Sequence, residues 1–233
     1  MLQTIVFITG AAILALELLA SRILTPYFGV SLYIWSGVLS ITLISLALGY
    51  WMGGRFARSN KTGAHADQLA YLFALMPAVA AFALVGACLV YPYLVQHLAR
   101  FDLVSGAFIA CLVLLFVPLL VTSAMNPLLV AILLRQSAAR GELADAVAGR
   151  VFFISTVGSV TGVFITAFGI IPNLSNFAAM LLVAVTLALL PLVMLLRAPT
   201  KIARRKPLAI KSALALAASV GLLAGGNAYI DHM

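Results

Sequence analysis

Across 233 residues, 64% are hydrophobic and only 9% charged, and the mean hydropathy is +1.18; in a soluble domain roughly a quarter of residues are charged. This composition excludes an ordinary water-soluble enzyme and predicts an all-α integral membrane protein. The net charge of +8 does not argue for nucleic acid, because basic residues of membrane proteins gather in loops, where they set orientation.

A spanning helix needs about 20 mostly apolar residues. The breaks between charged or turn-forming clusters predict a bundle of about seven transmembrane helices, near residues 3–24, 31–52, 69–96, 105–134, 151–171, 177–197 and 208–230, in a single polytopic membrane domain covering 1–233. The start, MLQTIVFITGAAILALELLA, lacks the basic residues of a signal peptide and carries Glu17 where a cleavage region would lie, so it reads as a retained first helix. The third and fourth segments exceed the minimum length, which predicts tilt or interruption.

Basic residues set the orientation. Arg55, Arg58 and Lys61 follow the second segment, Arg135, Arg140 and Arg150 the fourth, and Arg197, Lys201, Arg204, Arg205, Lys206 and Lys211 flank the start of the seventh. Alternating spans place all three groups on one side, opposite Arg22 and Arg100. The positive-inside rule then predicts a cytoplasmic N-terminus and a periplasmic C-terminus in a bacterial inner membrane. The polar stretches GGRFARSNKTGAHADQ and RQSAARGELADAVAGR are too short to fold as separate domains.

In the first segment, Glu17 lies about 22 Å beyond the cytoplasmic start, in the outer half of the bilayer. A carboxylate there costs on the order of 2.5 to 3.5 kcal/mol unless it is protonated, paired or wetted. Gly10, Ile13, Leu14 and Ser21 share its face at helical spacing, which aims it at other helices. Arg22, five positions on, is about 140° around the helix, better placed to snorkel or to bond another helix than to pair with Glu17. Glu17 reads either as a proton or cation site or as a brace accepting hydrogen bonds, with Ser21, Thr42 and Ser45 as candidate polar neighbours.

The second segment carries Thr42, Ser45, Gly49 and Gly53 at spacings of three and four, and the fifth repeats the device with Ser155, Gly158, Gly162 and Thr166. Glycines so spaced let helix backbones approach and hydroxyls bond across the contact, which predicts packing seams. GLLAGG in the last segment is a third, weaker case. Asn126 and Pro127 interrupt the fourth segment, downstream of Pro118. Proline removes a backbone donor and disfavours helix in the residue before it, so a kink is expected, beside which Asn126 joins the candidate polar site.

Cys88 and Cys111 fall in adjacent segments and read as buried thiols rather than a disulfide. His65, His97 and His232 are too scattered for a metal site, so no metal or cofactor is expected. No phosphate-binding G-x-x-x-x-G-K-[ST] loop or G-x-S-x-G nucleophile turn is present.

LELLASRILTPYFGVSLYIWSGVLSITLISLALGYWMGGRFA, followed by NPLLVAILLR and GRVFFISTVGSVTGVFITAFGIIPNLS, resembles the membrane region of transmembrane spermidine-synthase-like proteins over residues 12–175. The matching positions are Glu17, Arg22, Pro26, Tyr27, Phe28, Gly29, Trp35, Gly49, Tyr50, Gly53, Gly54 and Arg55, then Asn126, Pro127, Arg135, Gly149, Arg150, Thr156, Gly158, Ser159, Gly162 and Pro172. Arg58 stands where that family often has an acid after G-G-R-x-A, and nothing resembling its soluble aminopropyltransferase domain follows the last segment. The resemblance therefore implies a membrane module without that family's enzymatic activity. The function expected is a non-catalytic module that recruits or organises a protein partner, an enzyme or a membrane complex, in the lipid bilayer. The alternative is a transporter of a small, cationic, polyamine-like solute using Glu17. A water-connected cavity beside Glu17 lined by Thr42, Ser45 or Asn126 favours transport, and dry contacts favour the brace.

Overall fold

The computed structural model describes residues 2–29, 32–59, 66–98, 103–137, 143–197 and 205–230. Among them there is no strand, and the helices run α1 (Leu2–Phe28), α2 (Leu32–Ser59), α3 (Ala66–Leu98), α4 (Leu103–Ser123), α5 (Met125–Ser137), α6 (Ala144–Phe164), α7 (Asn176–Arg197) and α8 (Arg205–Ile230). A π-helical turn, Ile165–Ile170, continues α6. With α4 and α5 counted as one span, seven helices of the described residues are long and apolar enough to cross a membrane. The fold is an all-α seven-helix membrane bundle.

Helices were chosen because a backbone in lipid must satisfy its own polar groups. The same rule explains two boundaries that differ from the composition-based expectation. α2 continues to Ser59 through GGRFARS, and α6 starts at Ala144 rather than near 151. Hydropathy marks where side chains stop suiting lipid, not where backbone hydrogen bonding stops, and Asp145 in the first turn of α6 favours a helix N-terminus there. Arg55, Arg58 and Arg150 accordingly sit on helical extensions rather than in loops.

α1 ends at the PYFG turn. Gly29 has φ +74°, the left-handed conformation that suits glycine, and its N–H donates to the Thr25 carbonyl at 2.9 Å, closing the last turn. The interruption near Asn126 is a local break: Ala124 separates α4 from α5, yet its N–H still reaches the Leu120 carbonyl at 3.3 Å. The long span continues through it.

Two parallel pairs form the frame. A Cβ on Gly158 would overlap the Phe7 carbonyl and one on Gly162 the Ala11 carbonyl, so α1 and α6 run side by side in the same direction. Similarly, Gly37 faces Cys111, Gly49 faces Ser123, and Gly53 faces Ala124 and Pro127, so α2 runs parallel to α4 and the start of α5. α3 packs on α4 and α7, and α8 on α7. The core between them is almost wholly apolar, with Leu16, Leu19, Leu24, Phe73, Leu84, Leu114 and Leu119 fully buried. Large apolar side chains also cover the outside, including Leu43, Trp51, Phe153 and Phe168. An exposed surface of that kind suits lipid rather than water.

The GLLAGG segment of α8 behaves differently from the other glycine stripes. A Cβ at Gly221 or Gly225 would meet nothing within 4 Å, so no close helix contact forms there among the described residues. Spacing alone cannot tell which face a neighbour will cover.

Candidate functional site

α1 carries Glu17 on the side facing α2. Its side chain is half-buried, and the buried Thr42 hydroxyl is the polar side chain that addresses it. The approach falls outside hydrogen-bond geometry, and among the described residues Thr42 Oγ1 is buried without a partner. Ser45, the other hydroxyl expected near Glu17, donates instead to the Ile41 carbonyl of its own helix at 2.6 Å. Ser21 likewise donates to Leu18 at 2.8 Å.

Arg22 does not pair with Glu17. It reaches across to the Ile171 carbonyl at 3.2 Å, just past the π-helical turn. That turn shifts the hydrogen-bond register by one residue, with Ile171 N–H donating to Thr166 at 2.9 Å, and so leaves carbonyls at the helix end for an outside donor.

Asn126 belongs to a second polar cluster. Its amide Nδ2 donates to Ser155 Oγ on α6 at 3.2 Å, and the Tyr50 hydroxyl from α2 also interacts with it. Tyr50 in turn meets Phe152 edge to face, ring centroids 5.9 Å apart. Because the Ser155 carbonyl lies against Gly10, this cluster is level with Gly10 on α1. Glu17 is seven residues further along, about 10 Å. The structure therefore divides the expected candidates: Glu17 with Thr42 at one depth, Asn126 with Ser155 and Tyr50 at another.

Further hydroxyls stitch the glycine seams. Ser159 donates to the Gly10 carbonyl at 2.9 Å across the α1–α6 contact, and Ser123 to the Ser45 carbonyl at 3.3 Å across the α2–α4 contact. Thr122, beside the α4–α5 break, returns its hydrogen to the Pro118 carbonyl at 2.8 Å. Sequence placed Gly10 on the Glu17 face of α1 and Ser123 among the hydroxyls beside the Asn126 interruption, without pointing to the contact either one makes. Gly10 is an isolated glycine whose partner is 145 residues away at Ser155, and only the seam on α6 pointed toward a complement.

Among the described residues, Arg55, Arg58, Arg135, Arg150, Arg197 and Lys211 lie at the end of the bundle that holds the start of α1. Arg22 is at the opposite end. Arg55 sits over the Trp51 ring, 5.6 Å from its centroid, a cation–π contact suited to an interfacial depth. Arg205 and Lys206 begin α8 at the same basic end, whereas Lys61, Arg100, Arg140, Lys201 and Arg204 lie outside the described residues, as do His65 and His232.

Cys88 and Cys111 are free and buried on the packed helices α3 and α4. Among the described residues no three His, Cys, Asp or Glu side chains are grouped to hold a metal ion. The chemistry on offer is hydrogen bonding and charge: a half-buried carboxyl, a buried amide, several hydroxyls and a basic rim. No protein-family model, curated protein or solved structure matches the chain.

Proposed function

We propose that the chain is a non-catalytic polytopic membrane module that recruits or organises a partner enzyme or membrane complex through its basic end. The supporting observation is the use to which its intramembrane polar groups are put. Asn126 bonds Ser155, Ser123 bonds the Ser45 carbonyl, and Ser159 bonds the Gly10 carbonyl, each joining two helices rather than lining one shared chamber. Such bonds hold a frame together. The basic side chains gathered at one end then form its outward-facing chemistry, in the orientation that places this end in the cytoplasm of a bacterial inner-membrane protein. In this reading Glu17 is a brace. The resemblance of residues 12–175 to the membrane region of transmembrane spermidine-synthase-like proteins directs the search to a soluble aminopropyltransferase-like or methyltransferase-like enzyme with an acidic docking face.

One observation favours the alternative, carriage of a small cationic solute. Glu17 is only half-buried, and the Thr42 hydroxyl beside it is unpartnered. The two readings separate on purification of the tagged chain from native membranes in mild detergent, with mass spectrometry of co-eluting proteins. A stoichiometric partner retained by Glu17→Gln and lost by the double substitution Arg55→Glu, Arg58→Glu supports the module. A chain that elutes alone, and whose polyamine flux into proteoliposomes is abolished by Glu17→Gln, overturns it.

A further inference from the structure

A groove of about 220 Å³ runs between α1, α6 with its π-helical turn, and α7. Its floor on α1 is Phe7, Ala11 and Ala15, one residue per turn and mostly small, so the groove follows the helix axis over about 12 Å. Three threonines also line it, but they do not make it polar. Thr161 donates to the Val157 carbonyl and Thr186 to the Leu182 carbonyl, each at 2.8 Å on its own helix, while Thr166 is buried. The surface offered is hydrocarbon.

The groove ends where the π-helical turn ends. Ile170 lines it, and the next carbonyl, Ile171, is the one that holds the Arg22 guanidinium. Arg22 is exposed and uses one of its donors there; a guanidinium has five, in a fork that matches phosphate oxygens. It is also the one arginine or lysine among the described residues at this end of the bundle, and it lies about 10 Å along α1 from Ala15. From Arg22 to Phe7 is about 22 Å of helix, more than the ~15 Å depth of one leaflet of the hydrocarbon core. An apolar slot with a cation at its head, spanning together about 22 Å, has the polarity and enough length for a phospholipid.

We propose that this groove is a specific phospholipid site, with one acyl chain lying against Phe7, Ala11, Ala15 and Ile165 and the phosphate held by Arg22. The π-helical turn has a defined part in it: the widened turn lines the slot, and the carbonyl just past it fixes Arg22 at its mouth.

The test uses the full chain in lipid nanodiscs containing phosphatidylglycerol with a photoactivatable diazirine in its acyl tail, and crosslinks mapped by mass spectrometry. Crosslinks are expected to concentrate on residues 7–15, 161–170 and 183–186 relative to the lipid-facing surface of α2 around Leu43 and Leu48. Arg22→Gln is expected to lower groove labelling about five-fold, the factor that one basic residue near a lipid phosphate supplies. Thr186→Phe, which fills the groove from α7 without touching Arg22, is expected to remove groove labelling while the α2 surface labels as before. Even labelling of groove and α2 surface, or groove labelling undiminished by Thr186→Phe, overturns the proposal. So does groove labelling unchanged by a folded Arg22→Gln.

Discussion

Gly158 and Gly149 lie on the same helix and differ in what surrounds them, which makes them a matched test of the α1–α6 seam. A Cβ at Gly158 would overlap the Phe7 carbonyl oxygen and come within 2.8 Å of its carbon and 2.9 Å of Phe7 Cα. Carbon atoms in contact prefer about 3.5 to 4.0 Å, so Gly158→Ala must push α1 and α6 apart by roughly 1 Å, and a gap of that size forfeits a quarter to a half of each lining contact. The neighbouring Ser159 hydrogen bond to the Gly10 carbonyl, 2.9 Å in the wild type, stretches in the same movement. Overpacking of this kind costs about 1 to 3 kcal/mol, against which alanine returns up to about 1 kcal/mol of helix propensity. At Gly149 a Cβ meets nothing within 4 Å, so Gly149→Ala keeps the propensity gain without the collision. The two variants should differ by about 2 kcal/mol, or about 4 to 8 °C in Tm at 2 to 4 °C per kcal/mol for a chain of this size. Thermal unfolding in mild detergent, followed by size-exclusion of the surviving monodisperse fraction, measures it. A Gly158→Ala variant that melts with or above Gly149→Ala refutes the reasoning.

Glu17→Gln should melt close to wild type, because an amide of the same shape keeps the packing between α1 and α2 beside Thr42, whereas Glu17→Ala should lose about 1 to 3 kcal/mol by removing a half-buried side chain and leaving a gap there. Equal melting temperatures for wild type and both variants would remove the brace. For Asn126 and Ser155, a double-mutant cycle with alanine should give a coupling of about 0.6 kcal/mol, the usual size for an interhelical hydrogen bond in a membrane; zero coupling counts against a bond in the native bundle. Cys88 and Cys111 should resist a membrane-permeant maleimide until the protein is denatured, since both thiols are buried; labelling of the intact protein at the denatured rate would contradict their placement. Gly221→Ala should leave Tm unchanged or slightly raised, because its face meets no neighbour within 4 Å; a marked fall would show that the face is covered.

Membrane residence and the number of spans were legible in the sequence, because both follow from local composition: apolar length is a property of each segment taken alone. The polarity of the bundle ends was legible for the same reason, since alternating spans sort Arg55, Arg135 and Arg197 to one side whatever the packing. Glycine stripes on α2 and α6 were visible too, but the spacing that exposed them also marked α8, where nothing among the described residues packs against Gly221 and Gly225. Periodicity identifies a face able to receive a helix, and only the tertiary fold supplies the helix. The same limit governs the polar residues. Sequence placed Glu17, Thr42, Ser45 and Asn126 in the hydrophobic region, yet Ser45 turned to its own backbone and Asn126 joined Ser155 instead. Parallel pairing of α1 with α6, which sets Gly10 against Ser155 and Arg22 against Ile171, joins residues about 150 positions apart. Helix propensity and hydropathy act over a few turns and carry no information about such partners. Those contacts were decided by which backbones could approach closely enough to pack, a property of pairs of helices rather than of any one segment.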